Sequence, residues 1–270
     1  MKKSLILVLS LLLVITMPIG SFAQTKDIEL TDKQIEQYKA EFEIRLKEFR
    51  ETNDMMFREM NKKSIICDGL STRGVDPGVD PVYPNKTKTF YNMDISYEND
   101  YDNNKGDARA KASVSDPKLN LYSISGGHLL NSYAMAEGRL GKEFYYAGNS
   151  NKSMVVNFVG SYDWTIANAL LAAQGNSDIN IWLIVEDLDN GVEVDKTLVS
   201  ESYWKSAGTW NGKNSFNKSL EINAKPGHVY NAYIKAEVVS DCMGMGSTSA
   251  SAHKDFGNHY IKLDKIKISW

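Results

Sequence analysis

Apolar and polar residues alternate with a period of two over much of the chain beyond Ala108. Ala108, Ala110, Ala112 and Val114 alternate with Arg109, Lys111, Ser113 and Ser115, the signature of a strand with one buried face. Ile179, Ile181, Leu183 and Val185 form a second such face. Trp182 and Ile184 on the opposite side predict that this strand is covered on both faces. Tyr230, Ala232, Ile234, Ala236 and Val238 form a third. Clusters of turn residues punctuate these runs: Gly126-Gly127, Gly148-Asn-Ser-Asn, Gly175-Asn-Ser-Asp, Asp189-Asn-Gly and Lys225-Pro-Gly. Asp189-Asn190-Gly191 is the strongest hairpin signal. Thr165 to Gln174 is rich in Ala and Leu but precedes a turn cluster and a clear strand, so it reads as a hairpin arm. Ile261 and Leu263 stand in one phase, and Ile266, Ile268 and Trp270 in the other. A bulge near Asp264-Lys265 reconciles them. About ten short strands without βαβ alternation predict a mainly β fold, an antiparallel β-sandwich that is jelly-roll-like.

The pattern before this region has a different period. Thr31 followed by Gln34 forms a capping box, and neither Gly nor Pro interrupts the chain from there to Lys63. Ile35, Phe42, Phe49 and Met56 recur every seven residues, and Tyr38, Leu46 and Met60 widen the stripe. This predicts one long N-terminal amphipathic α-helix of about 45 Å. Arg45, Thr52 and Glu59 occupy the second seam position, which a two-stranded coiled coil rarely accepts. The expected arrangement is docking on the β domain; the alternatives are self-association through Ile35, Phe42, Phe49 and Met56 or a cell-surface stalk, and a removable pro-segment.

Residues 1–23 add the compartment. Lys2 and Lys3 precede an apolar run from Leu5 to Ile19, and Ser21-Phe22-Ala23 supplies small residues for cleavage. This is the pattern of a signal peptide, too short for a comfortable membrane span. The expected organisation is a signal peptide over 1–23, the helix over 24–66, a Pro/Gly linker over 67–88 and the β-sandwich over 89–270. The linker carries Pro77, Pro81 and Pro84 and the tandem Gly-Val-Asp-Pro at 74–77 and 78–81. Cleavage leaves 247 residues, enough to bury a core. The net charge of −3 falls to about −5 without Lys2 and Lys3. That balance gives no electrostatic reason to seek nucleic acid or an anionic membrane. Two cysteines in an oxidising compartment predict a Cys67–Cys242 disulfide.

The residues that carry recognisable chemistry are few. No Gly-x-Ser-x-Gly elbow, phosphate-binding loop, dinucleotide fingerprint, His-Glu-x-x-His or Cys-x-x-Cys is present. Glycosidase carboxylates leave no such motif, so Glu137, Glu143, Glu186, Glu201 and Glu237 remain acids to place, each expected on a solvated face. Asp100, Asp102 and Asn104 alternate as calcium ligands do, but Gly106 comes one place late for an EF-hand and Lys111 takes the twelfth position. A structural calcium is the one cofactor candidate. His253, Asp255 and His259 offer zinc-type ligands only if a turn folds them together. Tyr203, Trp204, Trp210 and Phe216 lie among Gly, Ser, Asn and Lys, a mixture suited to stacking and hydrogen-bonding a sugar. Ser247 to Ala252 is an alternating small-residue strand, expected at a sheet edge.

Together these features point to a secreted or cell-surface bacterial protein of non-catalytic binding type. An extracellular glycan or cell-wall component is the favoured partner, ahead of protein; no nucleic acid or membrane partner is expected. The alternatives are a secreted polysaccharide hydrolase with paired carboxylates and an oligomerising or membrane-damaging surface protein.

Overall fold

The computed structural model describes residues 31–65, 78–103, 105–127, 131–256 and 258–270. The leader pattern of residues 1–23, the first half of the linker with Cys67, and Asn104 lie outside them. The chain divides into two compact units, Met1–Gln37 and Tyr38–Trp270. In the first, the amide of Gln34 donates to Thr31 Oγ1 at 3.3 Å and the amide of Thr31 donates to Gln34 Oε1 at 3.0 Å, the reciprocal bonds of the expected capping box. It opens α1, Asp32–Ile65, the one α-helix among the described residues.

The second unit carries eleven strands among the described residues. They are β1 Asp80–Val82, β2 Lys88–Phe90, β3 Ile95–Asp102, β4 Gly106–Ser113, β5 Lys118–Gly127 and β6 Ser132–Tyr146, followed by β7 Lys152–Asp187, β8 Val192–Ser202, β9 Gly208–Ala224, β10 Val229–Ala252 and β11 Tyr260–Ser269. All pairings are antiparallel except β1 with β6.

The strands form the expected sandwich, with two of them shared between its layers. In one layer β6 pairs with β1 and β3 on one side and with β10 on the other; β10 continues to β7, and β7 to β8. In the other, β4 pairs with β5, which meets the end of β10 and the start of β11; these lead to the first half of β7 and then β9. Thus β7 and β10 run through both layers. Inward residues of every phase identified in the sequence meet in one core: Leu119 and Leu121 from one layer; Ile179, Ile181, Leu183, Tyr230, Ala232 and Ile234 from the other.

Three features differ from the sequence reading, and the shared strands explain the first two. Gly175-Asn-Ser-Asp is not a turn, because β7 continues through it. A Cβ on Gly175 would lie 2.7 Å from Asp241 O, and one on Gly246 would lie 2.8 Å from Ala169 O. Only small residues let β7 and β10 stay in contact where they pass between layers. Ser247–Ala252 is accordingly not an edge strand, since β5 flanks it on one side and β7 on the other. The third difference is in the linker: Asp80-Pro81-Val82 is strand β1, with Val82 fully buried. Proline is tolerated there because β1 lies at the edge of β6. The Asp189-Asn-Gly hairpin is present, with Gly191 at φ 70°, and β11 shifts register between Leu263 and Lys265 as expected.

From Tyr38 onward α1 lies on the outer face of the first layer. Its buried stripe is Tyr38, Phe42, Leu46, Phe49, Asn53, Phe57 and Asn61. Met56 and Met60 are 42% and 48% exposed instead. A straight helix drifts about 20° per heptad from a seven-residue repeat, so Asn53 and Phe57 replace Met56 on the contact face. Phe42, Leu46 and Phe49 pack with Met135 and Val239; Phe57 packs with Ile95, Tyr97, Ile184 and Tyr233. Phe42 and Phe49, half of the seam expected for self-association, are therefore covered within the chain.

Candidate functional site

The two outer faces of the sandwich differ sharply in how their polar groups are satisfied. On the face beneath α1, odd-numbered residues of β6 and β10 point outward, which brings Glu137, Arg139, Lys235, Glu237 and Asp241 under the helix. Each meets a partner. Arg50 donates from Nε to Glu237 Oε2 at 2.9 Å and from Nη2 to Glu237 Oε1 at 2.6 Å. Arg139 donates to Glu137 at 2.7 Å and to Asp54. Lys235 reaches Asp54 at 3.1 Å and Glu137 at 3.5 Å. Asn53 donates to Glu137 at 3.2 Å and accepts from the Tyr97 hydroxyl at 2.9 Å and from Asn99 at 2.7 Å. The Arg139 guanidinium also lies 4.4 Å from the Phe57 ring centroid. Against the upward pull of burial, Lys235 and Arg139 hold the Asp54 carboxyl below the usual carboxylate range.

Farther along, Tyr38 donates to Asp241 Oδ2 at 3.0 Å. Burial pushes the Asp241 carboxyl up to about 8; the Tyr38 hydrogen bond opposes the rise, and the charge of Asp178 adds to it. Glu137 and Glu237 are fully buried and Glu186 nearly so, contrary to the solvated faces expected for them. Glu186 and Glu193 are register partners, and burial followed by the Glu193 charge raises the Glu186 carboxyl. Their pocket, shared with Arg58, Arg139 and Lys235, has a volume of about 60 Å³. That is room for about two waters, so no sugar ring fits between these acids.

At one end of the sandwich lies an open cleft of about 390 Å³. Its floor is the outer face of the β4–β5 hairpin. Lys111 is the register partner of Asn120, and Ser113 that of Lys118. Partners share a face, so these four side chains point one way while Leu119 and Leu121 enter the core. Asp116 stands in the connecting turn. Lys254, from a short 3₁₀ turn, Asn258 and Tyr260, at the start of β11, complete the lining. Lys118 is bridged to Asp116 at 2.8 Å, with its ammonium 5.5 Å from the Tyr260 ring centroid. The side chains of Lys111, Asn120 and Lys254 make no hydrogen bond or ion pair with a described residue. A further concavity of about 300 Å³ between α1 and Tyr133 is lined by groups already engaged: Tyr38 with Asp241, and Arg45 with Glu48 at 2.9 Å.

The four aromatics singled out in the sequence do not share a surface. Phe216 is buried in the core beside Gly160. Tyr203 and Trp210 stack on one another with centroids 4.0 Å apart and pack against the core. Trp204 faces the Lys39 ammonium at 4.5 Å. Phe216 is the one of the four that is buried; Tyr203, Trp204 and Trp210 each stay partly exposed.

The metal candidates are likewise redistributed. Asp100 accepts a hydrogen bond from the Ala110 amide at 3.0 Å, and the neighbouring Glu98 accepts one from Ala112. These acids join β3 to the free edge of β4 rather than converging on an ion. His259 pairs with Asp163 at 2.5 Å while His253 accepts from the Asp255 amide, so the two imidazoles are held apart. Among the described residues, Asp187, Asp189 and His228 have the spacing of a metal site. His228 Nδ1 already contacts both Asp187 oxygens, at 2.9 and 3.0 Å, and Asp189 accepts from the Val229 amide. Cys242 is buried; the disulfide expected with Cys67 falls outside the described residues.

No family model matches the chain, and no curated protein matches it in sequence. Among solved structures, the CBM1 module of BiXyn10A in its apo form is 10% identical, with a TM-score of 0.25 over 70% of this chain and 99% of that one. TmCBM61 in complex with β-1,4-galactotriose is 14% identical, with a TM-score of 0.21 over 63% of this chain and 86% of that one. The CBM22-1–GH10 modules of Clostridium thermocellum xylanase 10B, complexed with xylohexaose, are 12% identical, with a TM-score of 0.18 over 70% of this chain and 28% of that one.

Proposed function

We propose that this is a secreted or cell-surface binding protein that recognises an extracellular glycan without cleaving it. The observation that carries the reading is the open cleft at the β4–β5 end. It combines amide groups (Asn120, Asn258), a hydroxyl (Ser113), ammonium groups and one partly exposed aromatic ring, Tyr260, in a volume of about 390 Å³. That mixture suits a hydroxyl-rich ligand, which needs many donors and acceptors and little apolar surface. The leader pattern of residues 1–23 supports an extracellular setting. The hydrolase alternative loses ground because its buried acid pair has no room for a sugar.

The test is affinity electrophoresis of the full mature chain against a panel of wall and matrix polysaccharides. Tyr260→Ala together with Asn120→Ala is expected to weaken binding by roughly tenfold or more, the loss of one or two good hydrogen bonds and a ring contact. Trp204→Ala is expected to stay within about twofold. Loss of binding on Trp204→Ala with Tyr260→Ala unaffected would move the site to the Trp204 end of the sandwich. Retention of every glycan at the rate of an inert control would end the glycan reading.

A further inference from the structure

Resting on the glycan reading of the same cleft, we infer that its ligand is an acidic saccharide, a chain carrying carboxylate or phosphate groups. Four lysines stand on or beside the hairpin face, and two of them are neutralised within the chain. Lys118 is bridged to Asp116 at 2.8 Å, and Lys262, its register partner on β11, is bridged to Asp264 at 2.6 Å. Lys111, on β4, and Lys254, in the 3₁₀ turn, both line the cleft, with no carboxylate within ion-pair distance among the described residues.

The cations packed against the sheet, Arg50, Arg139, Lys142 and Lys235, all meet carboxylates. Two unpaired ammonium groups facing one concavity create a local positive potential in a chain of net charge −3. A neutral sugar would use the ring of Tyr260 and the amide of Asn120 but leave both ammoniums idle. A saccharide with an anionic group on adjacent units engages both. Lysine is a point charge without the planar fork of arginine, so the cleft accepts either carboxylate or phosphate at the level of charge.

The experiment compares four polymers on the intact mature chain: polygalacturonate, poly(glycerol phosphate), neutral galactan and neutral xylan, each at about 20 and 300 mM salt, a range over which screening changes several-fold. The expected result is retention by one or both acidic polymers that weakens roughly tenfold or more in the Lys111→Gln/Lys254→Gln double variant and falls with salt. Polygalacturonate alone assigns the carboxylate source, and poly(glycerol phosphate) alone the phosphate source; either supports the inference. Binding to the neutral polymers that the double variant leaves intact, and that Tyr260→Ala removes, overturns the acidic assignment while keeping the cleft as a glycan site. Acidic-polymer binding that survives the double variant overturns the assignment to this cleft. Retention by none of the four and by no other glycan overturns both readings. The thermal midpoint of the double variant, expected within a degree or two of the parent, separates loss of binding from loss of fold.

Discussion

The helix-covered face of the sheet and the open cleft at the β4–β5 end are both polar, yet they serve opposite ends. Beneath α1, Glu137, Glu237 and Arg139 have lost nearly all contact with water. Each is matched by a counter-charge, because an unpaired buried ion is prohibitively costly. In the cleft, Lys111 and Lys254 are exposed, so water satisfies them and no internal partner is needed. The lesson is that charge content alone does not mark a site. A charge already paired in the interior is holding an element in place. A charge left unpaired in a concavity is available to a ligand.

The sharpest way to break this contrast is to remove one member of the covered network. Arg139→Met is expected to cost about 3–5 kcal/mol, read as a fall in the denaturation midpoint, because Glu137 keeps its burial and loses its closest cation. A loss below about 1 kcal/mol would mean that water enters beneath α1. Phe57→Ala should cost a similar amount, about 3–5 kcal/mol, since Phe57 is fully buried between Tyr97 and Tyr233. Its helical neighbour Met56 should change stability by no more than about 0.5 kcal/mol when replaced by Ala. Equal effects at the two positions would refute the drift of the contact stripe.

The next effect is on pH dependence. Asp241 titrates near 8 in the folded chain against an ordinary 3.8. Between those values the folded state holds a proton that the unfolded state has released, so this group makes stability fall as pH rises from about 4 to about 8, and contributes no slope above. Asp241→Asn should flatten that descent and raise stability at pH 8, as followed by chemical denaturation across the range. Asp54, held low by Lys235 and Arg139, acts in the opposite sense and in a separate window: its contribution is lost as pH falls below the ordinary carboxylate value. An unchanged slope in the Asn variant would show that Asp241 is ionised beneath the helix. The smallest effect belongs to the cleft, where Lys111→Gln or Lys254→Gln should alter stability by less than about 0.5 kcal/mol. A larger loss would mean that these lysines have structural partners after all.

Much of the fold was legible along the chain. The inward faces of Ile179–Val185 and Tyr230–Val238, the Asp189-Asn-Gly hairpin, the shift near Asp264 and the Thr31–Gln34 cap all follow from local rules of periodicity and turn chemistry. Two of the readings that differed share a cause. Gly175-Asn-Ser-Asp resembles a turn and Ser247–Ala252 an edge, because small polar residues usually mark exposure. Here they mark the close crossing of β7 and β10, a contact between segments some 70 residues apart in sequence. The site was harder still. The aromatic segment Tyr203–Phe216 stood out by composition, but packing turned two of its rings against the core and buried a third. The cleft residues, at 111–120 and 254–260, carry no shared motif.

What the residues determined unaided was therefore period and class: which stretches are strand, which is helix, and which faces turn inward. Those properties depend on neighbours two to four places away. The tertiary structure alone decided which charges are paired, because pairing depends on register between strands distant in sequence and on where one helix comes to rest. Glu137 and Lys111 look alike in the chain, each a charged residue in an alternating strand. Only the arrival of α1 over one and open water over the other made the first a clamp and the second a candidate ligand contact.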